Sequence, residues 1–134
     1  MIIKITPDFE KSKSILRMID KSLAMINEIN IERYPSNVVK EYYDIIRELI
    51  SVILLLDGYK TFGEYAHKEL IEYLEMNYKE FAKLEINLLN DLRILRNRVA
   101  YDGFFIKKDY ILRKQFAILE LISKLRKLID KKIK

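Results

Sequence analysis

The chain has 134 residues, half of them hydrophobic and a third charged, with a formal net charge of +5, a single histidine and no cysteine. That length supports one sizeable core and falls short of two. With no cysteine, disulfides and thiolate metal sites are excluded, and one histidine leaves zinc without a ligand set.

Only 3 glycines and 2 prolines leave few turns, so the composition points to an all-α protein. The opening MIIKITPDFEK has neither a long apolar region nor a small-residue cleavage site, so no signal peptide is expected. The longest apolar run, residues 52–56, is far too short to span a bilayer. A soluble, cytoplasmic protein with no membrane contact is the expectation. Much of the positive charge lies in residues 107–134. Such a balance favours nucleic acid through counterion release, and it equally serves the solubility of Lys-rich helices.

Residues 1–5 suit a short strand-like arm or an extended lead-in. Thr6 as N-cap, Pro7 at the first helical position and acids at Asp8 and Glu10 start a first helix, with Phe9, Leu16, Ile19, Leu23 and Ile26 on its apolar face. Residues 30–35 interrupt it. Ser36 can cap a second helix over residues 37–56, which closes at Asp57-Gly58 and is apolar on nearly every side from Ile45 to Leu56. A helix of that kind belongs at the centre of a bundle or in a subunit interface. Residues 58–63 read as a compact loop and 64–75 as a short helix with Tyr65, Leu70, Tyr73 and Leu74 inward. A fourth helix spans 79–100. Asp102-Gly103-Phe104 turns the chain into a last helix over 107–131, with Ile111, Ile118, Leu121, Leu125 and Leu128 on one face and lysines on the other. The fold expected is a single domain over residues 1–134, an antiparallel helical bundle of four long helices and one short one.

No DxDxDG calcium loop, Gly-rich phosphate cradle or GxSxG elbow is present, so no cofactor or metal is expected. His67, alone at the start of the short helix, reads as a surface or capping residue. Glu41, Asp44 and Glu48 read as a solvated helix face, with the alternative that they neutralise or orient arginines nearby. Most of the tyrosines suit the edge of the core, where a ring is buried and a hydroxyl stays wet.

Chemistry concentrates in LRILRNRVAYDG, residues 92–103. Leu92, Leu95 and Val99 continue an apolar stripe from Phe81, Leu84 and Leu88, while Arg93, Arg96, Asn97, Arg98, Tyr101 and Asp102 fill the positions between and after them. Asparagine is a poor residue for a last helical turn. Like-charged arginines at helical spacing repel by about 0.2–0.5 kcal/mol per pair, although they suit the negative end of the macrodipole. Folding alone accounts for the segment as a charged helix end closed by Gly103 as the C′ residue. The functional alternative starts from spacing. Arg93, Asn97 and Tyr101 lie four apart on one face, with Arg96 about 100° from Asn97. Arginine binds a phosphate bidentately, and asparagine can orient a ribose or a phosphoryl oxygen.

Arg96-Asn97, followed four residues later by Tyr101, resembles the signature of the HEPN superfamily: an Arg, commonly a polar residue next, then four to six residues and a His. Residues 42–61 and 67–74 resemble that family's second helix with its exit loop and the short helix after it, so the likeness covers roughly residues 36–129. The histidine position holds Tyr101 here.

The resemblance implies a dimer that brings its motif helices together at a two-fold and binds RNA or a nucleotide in the shared cleft. If catalytic, the domain would be a metal-independent endoribonuclease using Arg96, with Asn97 positioning substrate and Tyr101 in the histidine's place. Tyrosine, with an ordinary pKa near 10, is a poor base at neutral pH, so a degenerate, non-cleaving domain fits better. Arg93, Arg98 and Asp102 would contact RNA or nucleotide. Many relatives act as toxins beside a minimal nucleotidyltransferase antitoxin, which implies that kind of partner. The competing expectation is a non-catalytic interaction module in which Arg96 pairs with Asp44 or Glu48 and Asn97 caps backbone carbonyls.

Overall fold

The computed structural model describes residues Met1–Lys134 as an all-α helical bundle with a two-stranded ribbon at one end. In chain order these are β1 (Ile2–Lys4), α1 (Phe9–Asn27), α2 (Pro35–Asp57), β2 (Tyr59–Thr61), α3 (Ala66–Asn77), α4 (Lys83–Asp102) and α5 (Lys108–Ile133). No helix is long and apolar enough to cross a membrane.

Helix α2 is the hub, in contact with α1, α3, α4, α5 and β2. Its sequence requires this position. Val38, Val39, Ile45, Ile46, Leu49, Ile50, Val52, Ile53 and Leu54 cover more than half of the helix circumference and are all buried, so no one neighbour could cover them. The other long helices contribute single stripes: Leu16, Ile19 and Ile26 from α1, Ile86, Leu89 and Leu92 from α4, and Ile111, Ile118, Leu121, Leu125 and Ile129 from α5. Polar ties fix the register between them. Buried Ser36 accepts a hydrogen bond at Oγ from the Ile106 backbone N–H at 2.7 Å, Gln115 donates to the Tyr42 hydroxyl at 3.2 Å, and Arg126 of α5 pairs with Asp20 of α1 at 2.7 Å.

Several boundaries differ from the sequence expectation. Helix α1 begins two residues later than Pro7, because Asp8 is the N-cap: its carboxylate accepts from the Lys11 N–H at 2.9 Å. Phe9 is thereby left about half exposed. Helix α2 starts at Pro35, with Ser36 inside the first turn and its hydroxyl used on Ile106 instead of as a cap. The expected loop 58–63 contains β2, whose antiparallel partner is the N-terminal arm, with Ile2 opposite Thr61 and Lys4 opposite Tyr59. Helix α3 starts later than expected, leaving Tyr65 outside it and exposed. Helix α4 starts at Lys83, where Glu85 Oε1 accepts from the Ala82 N–H at 2.8 Å, half of a capping box.

Glycine conformation matters at two helix ends. Gly58, at φ 89°, closes α2 in the left-handed region, and its N–H returns to Leu54 and Leu55 carbonyls. Gly103, at φ 64°, closes α4 in the left-handed region, and the N–H groups of Gly103 and Phe104 both return to the Arg98 carbonyl, Phe104 at 3.1 Å.

Candidate functional site

The C-terminal half of α4 lies across α2 and next to the start of α3. The four-residue spacing of Arg93, Asn97 and Tyr101 keeps all three on one helical face. In the structure these three side chains and the segment Gly63–Lys68 line an open pocket of about 440 Å³. Glycine at 63 with φ 94° allows the tight turn before α3. The turn places Tyr65, Ala66, His67 and Lys68 along the pocket's other wall. Helix α3 begins with no side-chain cap, so the first-turn amides of the helix and its positive dipole end stand at the rim.

Behind the pocket's lining, α2 supplies Tyr43 against His67 and Asp44 against Arg96, while Arg47 and Glu48 of the same helix open toward Ile15 and Met18 of α1. Arg96 points inward: its Nε lies 3.3 Å from Asp44 Oδ1, and the Arg96 side chain is only 16 % exposed. The pair is close enough for strong attraction but is not aligned as a hydrogen bond. The Nε–H groups of Arg47, Arg93 and Arg96 are all buried without an aligned protein acceptor. Arg47 adds looser pairs to Asp44 at 4.0 Å and Glu48 at 3.9 Å. Arg96 and Arg47 therefore share Asp44, Arg47 also reaches Glu48, and Arg93, which lines the pocket, makes no ion pair within the chain.

Titration of the neighbouring groups reports these charges. Burial pushes the Tyr43 hydroxyl up to about 12, against the opposing pull of Arg93, Arg47 and Arg96. Burial, followed by Arg47 and Arg96, holds the His67 imidazole below its ordinary value, only partly offset by Asp44. His67 is thus biased to its neutral form near pH 7. Burial works against the charge on Arg96, but the Tyr101 hydroxyl and Asp44 outweigh it and leave its pKa raised. Arg96 donates from Nη1 to the Tyr101 hydroxyl at 3.4 Å and lies 5.8 Å from that ring's centroid. Tyr101 itself is three-quarters exposed.

Of the residues singled out in the sequence, Arg93, Asn97 and Tyr101 come together in the pocket, and Arg96 reaches it only through Tyr101. Arg98 is turned away, its guanidinium 3.8 Å over the Phe104 ring at the turn that closes α4. Asp102 is exposed and does not line the pocket. Asp44 is not part of a solvated face as expected: it is the carboxylate on which Arg96 and Arg47 converge. His67 is neither a surface nor a capping residue but a half-buried wall of the pocket, its ring centroid 6.4 Å from that of Tyr43. The sequence signal for it was faint, a lone histidine a few residues past a glycine turn. Its partners on α4 lie 26 or more residues further along the chain.

No group of three or more His, Cys, Asp or Glu side chains is placed to hold a metal ion. The pocket offers phosphate-type recognition instead, with an arginine fork, an amide, a phenol, an imidazole and helix-start amides facing one opening.

No family model, curated protein or solved structure matches the chain.

Proposed function

We propose that the chain is an HEPN-type helical domain whose pocket between α3 and α4 binds the phosphate backbone of RNA. The observation that carries this reading is the convergence of Arg93, Asn97, Tyr101 and His67 on one open pocket, beside the Arg96–Asp44 pair. Arg93 lines the opening and makes no ion pair within the chain, so its guanidinium is free to bind a phosphate, and the exposed Tyr101 ring offers a stacking face for a base. The resemblance in residues 36–129 supports RNA over other phosphate esters. It also suggests a homodimer that brings two such pockets together, with a minimal nucleotidyltransferase as a partner.

The test is fluorescence anisotropy with a labelled single-stranded RNA over a series of salt concentrations, for the wild type and Arg93→Ala. The variant is expected to bind roughly tenfold more weakly, with a salt slope shallower by about one unit, as for one lost phosphate contact. Equal affinity and slope would remove the pocket from the RNA path.

One observation favours a second reading, the non-catalytic interaction module. Arg96, the first residue of the motif, is held by Asp44 within its own chain. On that reading RNA binding is absent at low salt, and Asp44→Ala loosens the α2–α4 contact without changing any ligand.

A further inference from the structure

We propose that His67, outside the motif, is the proton-accepting residue of this pocket, in place of the histidine that Tyr101 replaces. The inference rests on the RNA reading above, and it concerns a side chain that no motif selects. Its basis is placement. The chain's one histidine shares a pocket with Arg93, Asn97 and Tyr101, although it comes from a different helix.

The surroundings suit a base. The ring packs against Tyr43 of α2. The charges facing it are Arg47 and Asp44 from α2 and Arg93 and Arg96 from α4. Glu64 and Lys68 flank it on its own segment, and Tyr101 closes the far wall. Burial first, and then the surplus of cations around the imidazole, favour its neutral, proton-accepting form at neutral pH. Asp44, the one carboxylate beneath the pocket that pairs closely with Arg96, limits that bias without reversing it.

The step that follows needs no metal and no co-reactant. A ribose 2′-hydroxyl gives its proton to the neutral imidazole as its oxygen forms a bond to the adjacent phosphorus. The bond from phosphorus to the 5′ oxygen breaks with its electron pair, leaving a 2′,3′-cyclic phosphate. The departing 5′ oxygen takes a proton from the Tyr101 hydroxyl. Arg96 already donates to that oxygen at 3.4 Å and stabilises the phenolate charge that develops. Water then carries the proton from His67 back to Tyr101. Arg93 and the helix-start amides face the phosphate oxygens, where negative charge accumulates.

The experiment compares wild type with His67→Gln in EDTA, measuring cleavage of a labelled RNA from pH 5 to 9. Binding is measured in parallel with the same RNA carrying 2′-O-methyl groups, which cannot be cleaved. Wild-type cleavage is expected to rise with pH through an inflection below the ordinary histidine value of about 6.5 and then level off. His67→Gln should lose cleavage by roughly 100-fold or more and lose that inflection, a loss well beyond any weakening of its binding to the methylated RNA.

A single histidine also gives a single imidazole C2–H resonance. Its titration in the wild type should reproduce the kinetic inflection, without relying on how well the variant folds. Cleavage by His67→Gln at the wild-type rate, or an imidazole that titrates independently of cleavage, would overturn the proposal. Binding of the methylated RNA by a wild type that does not cleave would overturn it too and leave the RNA reading standing. Failure of the wild type to bind at all would overturn both.

Discussion

Asp57 illustrates how much one carboxylate can organise at the end of a helix. It closes α2, and Tyr73, Tyr78 and Lys132 all donate to it, Tyr73 at 2.7 Å. Three elements (α3, the turn after it and α5) are thereby fixed to the central helix. Burial opposes its charged form, but the hydrogen bonds from Lys132, Tyr78 and Tyr73 outweigh that and depress its pKa. A group of this kind stabilises the fold above its unfolded pKa, near 3.9, and loses that contribution as pH falls through the lower folded value. Asp57→Asn should therefore cost about 2–3 kcal/mol at pH 7, the range for hydrogen bonds to a charged group. The gap between variant and wild type should begin to narrow below about pH 4 and shrink further as pH falls through the lower folded value. Urea denaturation at pH 7 and pH 3 checks both statements. Asp44 differs in kind, since its guanidinium partners remain poorly aligned.

At the scale of elements, the sharpest constraint is the crossing of the N-terminal arm over the end of α2. The Ile5 N–H donates to the Gly58 carbonyl at 2.9 Å, and a Cβ at position 58 would lie 3.2 Å from the Ile5 carbonyl oxygen. Gly63 has a similar left-handed φ of 94° with nothing within 4 Å. Gly63→Ala should cost about 1 kcal/mol, the conformational penalty alone, and Gly58→Ala roughly 2–3 kcal/mol because a backbone contact is added. Equal losses in thermal denaturation would refute the role given to the crossing.

The helices themselves were legible in the sequence because their apolar spacing extends over many turns, and α2 declared its central position by its wide apolar surface from Ile45 to Leu56. A strand-like arm over residues 1–5 was one of two readings, but its partner β2 and their pairing were not legible. Three-residue strands carry no periodicity, and the pairing joins positions about 60 residues apart. The start of α1 was misplaced because Thr6, Pro7 and Asp8 offer overlapping caps. Within the site, the face formed by Arg93, Asn97 and Tyr101 followed from helical spacing. Asp44 was legible only as one of two carboxylates that could pair with Arg96, and the place of His67 was not legible, because each depends on how α2 and α3 pack against α4.

Across the whole molecule, positive charge has two addresses with different consequences. Lysines spread along the exposed face of α5 give a diffuse field that attracts any polyanion. The arginines at the α3–α4 pocket are few but partly buried, and Arg93 makes no ion pair, so their attraction is less screened by salt and acts at one place. General electrostatics would bring RNA to α5, whereas recognition would bring it to the pocket.

The measurement that separates these outcomes is a backbone amide NMR titration of the full chain with a 2′-O-methylated RNA oligonucleotide at moderate salt. The account predicts the largest shifts in residues 63–68 and 93–101, with small changes along α5. Shifts concentrated on the lysines of residues 107–134, with the pocket silent, would contradict it.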